Sequence, residues 1–155
     1  MLARLLLSAL MLLAAPAAFS KPPAEWKFQD WQAAVATAEK SQKPLFVLFG
    51  FEQCPYCDHL YRHGMDNPEL RAKYQSSVVL AYYDTRAHGP DDPIPVPGGA
   101  TMSHAQFIKH FRAYPTPSWL FLSPKGTVLL ANRGSKSTSR DLVRDLDAAL
   151  AASRR

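Results

Sequence analysis

An apolar run at residues 45–51 is followed three residues later by a Cys-Pro-Tyr-Cys segment. This pair of features restricts the possible folds more than any other part of the sequence. A continuous apolar run of strand length is typical of a strand that is buried on both faces, in a sheet covered by helices. Pro55 favours the first turn of a helix, where the missing N–H group of proline needs no partner. The sequence therefore predicts a buried strand that leads directly into a helix.

Capping residues and apolar spacing predict further helices. Asp30 is expected to cap a helix that ends at Pro44, and Asn67 to cap one that runs to about residue 75. Ser103 and a residue near Ser139 are expected to start two more helices. The apolar positions that follow helical spacing are Trp31, Ala34, Val35 and Ala38 after Asp30, Phe107, Ile108 and Phe111 after Ser103, and Leu142, Val143, Leu146 and Leu150 in the last helix.

Two more strand regions complete the predicted sheet. Residues 78–83 form a second buried strand, and residues 118–122 and 127–131 are joined by turn-forming residues, which predicts a hairpin. Helices and strands in this order predict an α/β fold with a mixed central sheet flanked by helices. The sheet is expected to be parallel in its first half and to end in an antiparallel hairpin.

Residues 86–102 interrupt this pattern with four prolines and three glycines. We predict a long loop without regular structure, and loops of that length inside a domain are often functional. Two interpretations are open. The insertion borders the active-site face and helps to choose partners, or it is a passive excursion over the surface.

The first twenty residues resemble a secretory signal peptide. Arg4 provides the positive start, residues 5–15 are apolar, and small residues at cleavage spacing lead to Ser20. We predict cleavage after Ser20, with Ala17 or Ala18 as alternative sites and an uncleaved signal anchor as the alternative interpretation. Residues 21–155 then form one domain, in a compartment where disulfides persist.

Composition excludes several classes of protein. The chain has 18 Lys and Arg against 13 Asp and Glu, with a formal net charge of +5 and no run of five like charges. We therefore expect no nucleic-acid binding. The chain has 2 cysteines, which is too few for a multi-disulfide scaffold or a four-thiolate zinc site.

The two cysteines are suited to thiol–disulfide exchange. At a helix N-terminus, free N–H groups and the helix dipole stabilise a thiolate and lower the pKa of Cys54. Cys57, one helical turn later, can close a small disulfide ring. We predict that Cys54 is the exposed nucleophile and that Cys57 is the less exposed resolving thiol.

Other roles of the pair are less well supported. A structural disulfide would close a very short loop and add little stability. Haem attachment needs histidine directly after the second cysteine, and Asp58 stands there. Cys57 and His59 lie about 200° apart around a helix and cannot converge on one metal ion. We predict neither a metal nor a cofactor, and treat His59 and His63 as surface residues.

These features together resemble the thioredoxin family, over about residues 24–150. The resemblance rests on residues 30–51, the Cys-Pro-Tyr-Cys segment, and Thr116-Pro117 before a strand and hairpin. It is strongest to the exported bacterial branch, which includes the C-terminal domain of the DsbD transporter and thioredoxin-like proteins of sulfur-oxidation systems. It implies that Pro117 is cis and packs beside the disulfide, and that Thr116 offers backbone hydrogen bonds to the substrate. We also assign substrate contact to Pro55 and Tyr56.

The resemblance implies a periplasmic thiol–disulfide oxidoreductase that reduces, or relays electrons to, disulfides of exported proteins. A membrane electron donor of the DsbD type is the expected partner, and a monomer suffices. Two alternatives remain open at this point: a non-catalytic thioredoxin-fold binding module with a structural disulfide, and a metallochaperone.

Two positions depart from the family pattern. Leu48 stands where many thioredoxins have a buried aspartate that helps to move the proton of the resolving thiol. Gln53 stands where tryptophan is common. Proton handling then depends on water or on a polar neighbour, and the candidates close in sequence are Glu52, Asp58 and His59.

Overall fold

Helices and strands alternate along the chain in a computed structural model that describes residues 21–134 and 138–155. The helices of this part are α1 (Trp31–Ser41), α2 (Pro55–His63), α3 (Pro68–Ser77), α4 (His104–Phe111) and α5 (Ser139–Ser153). The strands are β1 (Gln29–Asp30), β2 (Leu45–Gly50), β3 (Val79–Asp84), β4 (Pro93–Pro95), β5 (Thr101–Ser103), β6 (Ser118–Leu122) and β7 (Val128–Asn132). A single turn of 3-10 helix, Ala24–Trp26, precedes β1. The predicted signal peptide at residues 1–20 lies outside the described residues.

The main sheet has the strand order β1-β3-β2-β6-β7. β3 pairs in parallel with both β1 and β2, whereas β6 pairs antiparallel with β2 and β7. This arrangement confirms the predicted mixed sheet, with a parallel first half and a closing antiparallel hairpin. Over residues 21–134 and 138–155, none of the helices combines the length and the apolar character that a membrane crossing requires.

The central strand β2 separates two hydrophobic cores. Phe46 and Leu48 face a core that includes the two cysteines and residues of α2, α3 and α5, which we call the disulfide-side core. Leu45, Val47 and Phe49 face the opposite core, which also contains residues of α1, α4 and β4. We call it the hairpin-side core, after the hairpin formed by β4 and β5. Every residue of β2 is buried, as the uninterrupted apolar run predicts.

Side chains cap the helices where the sequence predicts caps. The Asp30 carboxylate accepts from the Ala33 N–H at 2.9 Å, and the Asn67 side chain accepts from the Leu70 N–H at 3.0 Å. Ser103 starts α4 with a complete capping box. The four apolar positions predicted for the first helix are all buried.

The last helix begins where it was predicted and differs in one detail. Its cap is Thr138, next to Ser139, where Thr138 and Asp141 form a reciprocal capping box. Val143 is 37% exposed and does not belong to the buried face. The predicted positions Leu142 and Leu146 are buried, and Leu150 is partly buried against the same core.

The insertion is a folded hairpin, so the prediction of a structureless loop is wrong. β4 pairs antiparallel with β5, which extends one residue beyond the predicted insertion, to Ser103. Ile94 and Val96 are buried in the hairpin-side core, and the Trp31 indole N–H donates to the Pro95 carbonyl at 2.6 Å. The hairpin therefore packs on the face of the sheet opposite the disulfide-side core. Because its residues are buried against the sheet, the hairpin is not a passive excursion over the surface.

Truncating Ile94 tests this role of the hairpin. We expect Ile94→Ala to lower the free energy of unfolding by about 2–3 kcal/mol, because a buried isoleucine loses its contacts and leaves a cavity. Chemical denaturation measures the change, and Thr101→Ala, at an exposed position of the facing strand, is the matched control. Equal stability of the two variants would contradict a contribution of the hairpin to the core.

Candidate active site

The disulfide between Cys54 and Cys57 lies where β2 gives way to α2. Cys54 is the N-cap of α2, Pro55 is its first residue, and the two cysteine Cα atoms are 5.2 Å apart. Gln53, directly before the first cysteine, has a φ of 62°, a left-handed conformation that is uncommon for a residue other than glycine. The predicted strand-to-helix junction is therefore present, and a sharp local turn delivers Cys54 to the helix start.

Two hydrogen-bond donors face the sulfur of Cys54. The backbone N–H of Cys57 donates to Cys54 Sγ at 3.2 Å, and Thr116 Oγ1 lies 3.6 Å from the same sulfur. Because a disulfide sulfur carries no hydrogen, the threonine hydroxyl is the donor in this pair. Both donors, together with the helix dipole, favour negative charge on Cys54 once the disulfide is reduced.

Both sulfur-bearing residues are buried, which corrects the prediction of an exposed nucleophile. Cys54 is 1% exposed and Cys57 is fully buried, and both belong to the disulfide-side core. The two residues between them are exposed, and Tyr56 has 75% of its surface free. The position of a cysteine at a helix start indicates its local geometry. It does not indicate how much of the side chain the rest of the fold covers.

The segment before β6 contains two cis peptide bonds. Thr116–Pro117 is cis, and so is Tyr114–Pro115, which the sequence analysis did not foresee. Gly134, at φ 77°, lies so close that a Cβ there would be 2.9 Å from the Pro115 ring. The end of β7 therefore supports this segment and requires glycine at the contact.

Hydrogen bonds tie the same segment to the ends of the parallel strands. Tyr114 Oη donates to the Thr85 carbonyl at 3.3 Å. Thr85 in turn donates to the Gly50 carbonyl twice, from its N–H at 2.8 Å and from its hydroxyl at 3.2 Å. The ends of β2 and β3 and the proline segment are thus joined beside the disulfide.

Exposed aromatic and cationic groups border the site. Tyr114 is 46% exposed, in addition to Tyr56, and the Arg86 guanidinium lies 3.5 Å from the centre of the Phe51 ring. Solvent-exposed tyrosines with apolar bodies and polar tips are typical of surfaces that contact other proteins. The sequence analysis named only Tyr56 among these groups.

The three predicted proton-handling groups lie at the surface, and each has a neighbour. The ring centres of His59 and His63 are 4.6 Å apart. Within residues 21–134 and 138–155, no cluster of three or more His, Cys, Asp or Glu side chains has the geometry to hold a metal ion. The acidic candidates form ion pairs, Glu52 with Lys21 and Asp58 with Arg62.

Two buried phenols near the site were missed by the sequence analysis. The hydroxyls of Tyr61 and Tyr82 are both buried, and burial is the main cause that raises the pKa of each phenol. Leu48, which lies on β2 in register with Tyr82, is fully buried. No local sequence pattern marks the two tyrosines, because they come from a helix and a strand that meet only in the fold.

The chain belongs to the family of thioredoxin-like domains, whose family model matches residues 31–148. The five-stranded mixed sheet seen in the described part of the chain, with helices on both faces, is the thioredoxin fold, and it carries the Cys54–Cys57 disulfide at the start of α2. The class of the protein is therefore a thioredoxin-like oxidoreductase fold with a Cys-x-x-Cys disulfide.

Solved structures with the same fold support this class. The oxidoreductase DsbH has 13% identity and a TM-score of 0.58, with 80% of this chain and 83% of that chain covered. A thioredoxin from Thermus thermophilus has 18% identity and a TM-score of 0.58, with coverages of 77% and 85%. The reduced DsbD C-terminal domain of Neisseria meningitidis has 16% identity and a TM-score of 0.56, with coverages of 77% and 99%. At these identities the likeness establishes the fold. No curated protein matches the chain by sequence.

Removing the Thr116 hydroxyl tests its contact with the sulfur. In the reduced protein we expect Thr116→Val to raise the pKa of Cys54, since the thiolate loses a donor. Alkylation at mildly acidic pH, which follows the thiolate fraction, should slow about fivefold, equivalent to about 1 kcal/mol. Thr101→Val, at an exposed position, is the control. An unchanged alkylation rate would show that the hydroxyl does not stabilise the thiolate.

Proposed function

We propose that this protein is a periplasmic thiol–disulfide oxidoreductase that transfers electrons to disulfides of other exported proteins. The observation that carries the proposal is the Cys54–Cys57 disulfide at the start of α2, with the Thr116 hydroxyl facing the sulfur of Cys54. A purely structural disulfide needs neither a helix N-terminus nor a second donor that faces one sulfur. A thiolate nucleophile benefits from both.

In the first step, the Cys54 thiolate attacks one sulfur of the substrate disulfide. The substrate S–S bond breaks, a mixed disulfide with Cys54 forms, and the other substrate sulfur leaves as a thiolate and takes up a proton. The Cys57 N–H and the Thr116 hydroxyl stabilise the negative charge on Cys54 before the attack. Cys54 is therefore the nucleophile of the proposed reaction.

In the second step, Cys57 resolves the mixed disulfide. Its thiol loses a proton, its sulfur attacks Cys54 Sγ, and the second substrate sulfur leaves and is protonated. Two electrons have then passed from the cysteine pair to the substrate. The Cα distance of 5.2 Å between the cysteines suits this intramolecular closure.

The surface around the disulfide provides the substrate contacts. We assign to Thr116 and Pro117 the backbone contacts with an extended substrate segment, and to Pro55 and Tyr56 contacts beside the sulfur. Tyr56 has 75% of its surface free for such contacts. Because Cys54 is 1% exposed, the substrate disulfide has to be carried to the sulfur on a protruding segment.

The proposed direction of electron flow is reduction, with a membrane protein of the DsbD type as donor. The predicted signal peptide supports export, and the fold shared with the DsbD C-terminal domain supports this partner class. The protein acts as a monomer in this proposal.

Serine variants of the two cysteines test the catalytic role. We expect Cys54→Ser to abolish reduction of a protein disulfide while the protein stays folded, since the lost ring stabilises it by about 2 kcal/mol at most. Cys57→Ser is the matched variant: it should still attack, and it should accumulate a mixed disulfide through Cys54. Retained reductase activity in Cys54→Ser would contradict the proposal and favour a binding module.

The redox equilibrium of the cysteine pair tests the direction of electron flow. We expect a reduction potential near the thioredoxin value of about −270 mV when the protein is equilibrated with dithiothreitol or glutathione buffers. The fraction of free thiols, measured by alkylation, gives the potential. A value near about −120 mV, as in the oxidant DsbA, would assign the protein to oxidation instead.

A further inference from the structure

The resolving step requires a proton to leave a fully buried thiol. Cys57 has no exposed surface, and Leu48, also fully buried, has no group that accepts a proton. Glu52 lies at the surface and is paired with Lys21 at a distance of 3.5 Å. Surface carboxylates that are engaged with cations are poorly placed to reach a thiol in the interior, so the proton needs an internal carrier.

Two phenols lie on the same side of the sheet as this thiol. Tyr61 follows Cys57 by one turn of α2, and residues four apart are neighbours on a helix surface. Tyr82 pairs in register with Leu48, so its side chain projects from the same face of the sheet. Both tyrosines pack in or against the disulfide-side core that contains Cys57.

The two hydroxyls converge on Gly50, the last residue of β2. A Cβ at Gly50 would lie 3.1 Å from Tyr82 Oη and 3.3 Å from Tyr61 Oη, so a side chain there would intrude between them. Both hydroxyl oxygens are buried and lie outside strict hydrogen-bond geometry with the described residues, while the two phenols interact with each other. Buried hydroxyls are nearly always bonded, so two that meet in one place call for a structural or chemical role.

The outer end of this pair faces acidic groups. Asp84, in register with Gly50 at the end of β3, and Glu52 contribute to raising the pKa of Tyr82, after the larger effect of burial. Burial followed by the nearby Tyr82 and Asp84 likewise raises the pKa of Tyr61. Both phenols therefore stay protonated, and each can carry a proton only by accepting one while it releases its own.

We propose that Tyr61 and Tyr82 form the proton path of the resolving thiol, in place of the carboxylate that Leu48 lacks. As Cys57 attacks Cys54 Sγ, its proton passes to the Tyr61 hydroxyl, Tyr61 passes its own proton to the Tyr82 hydroxyl, and Tyr82 releases a proton toward Asp84 and solvent. The mixed disulfide breaks, the substrate thiolate leaves, and both tyrosines end the step neutral. Tyr61 accepts the proton of Cys57 and Tyr82 relays it, and this role rests on the proposed function.

Reaction of the reduced protein with a chromogenic aromatic disulfide separates the resolving step of Cys57 from the attack by Cys54. The reduced protein releases one coloured aromatic thiolate when Cys54 attacks, and a second one when Cys57 resolves the mixed disulfide. The leaving thiolate needs no proton, so the second phase depends on proton loss from Cys57. In the double variant Tyr61→Phe with Tyr82→Phe, we expect the first phase to be unchanged. The second phase should slow about tenfold at neutral pH, and its pH profile should move about one pH unit higher.

Tyr74→Phe is the matched control. Tyr74 is fully buried in the same core, but its hydroxyl donates to the Leu142 carbonyl at 2.8 Å. Its removal should lower thermal stability and leave the second phase and its pH profile unchanged. The double variant should keep wild-type stability or gain some, because it loses two buried hydroxyls that lie outside strict hydrogen-bond geometry. A double variant that is stable but slow in the second phase, beside a Tyr74→Phe variant that is less stable but not slow, separates a proton path from general packing.

Three outcomes would overturn the inference. A second phase with wild-type rate and pH profile in the double variant would remove the proton path and leave the proposed function intact. An equal slowing in Tyr74→Phe would assign the effect to packing. A wild-type protein that releases only the first thiolate would overturn the proposed function together with this inference.

Discussion

The burial of β2 on both faces is the constraint on which the rest of the structure depends. A strand with no exposed face requires helices above and below its sheet, and this requirement separates the disulfide-side core from the hairpin-side core. β6 runs antiparallel to β2, with Ser118 opposite Phe49, so the start of β6 lies at the edge where β2 ends. Two segments far apart in sequence, the cysteines and the cis prolines, meet there for this topological reason.

The sequence is sufficient to predict the elements that depend on local chemistry. Asp30 and Asn67 cap helices because a side-chain oxygen satisfies nearby N–H groups, and this needs no tertiary contact. The hairpin in the insertion escaped prediction because Pro93 and Pro95 normally argue against a strand. They are tolerated here in a short two-stranded sheet, where Ile94 between them supplies the buried side chain.

The candidate site also combines features that the sequence predicts with features that depend on the tertiary fold. Cys54 and Cys57 are recognisable from spacing and from Pro55 alone, since a strand, a turn and a helix start are local features. The burial of the reactive sulfur and the second cis bond depend on how the loop before β6 folds over the edge. The convergence of two phenols on Gly50 depends on the register of β2 against β3 and on the rotation of α2, which sequence periodicity does not specify.

In the proposed reaction, the almost complete burial of Cys54 also restricts which disulfides can reach its sulfur. A cysteine with 1% of its surface exposed is closed to a disulfide held inside a rigid, convex domain. It remains open to a disulfide on a chain that is mobile enough to reach the sulfur beside Thr116. Selection by the deformability of the partner, rather than by its sequence, directs such a site toward incompletely folded or loosely tethered chains.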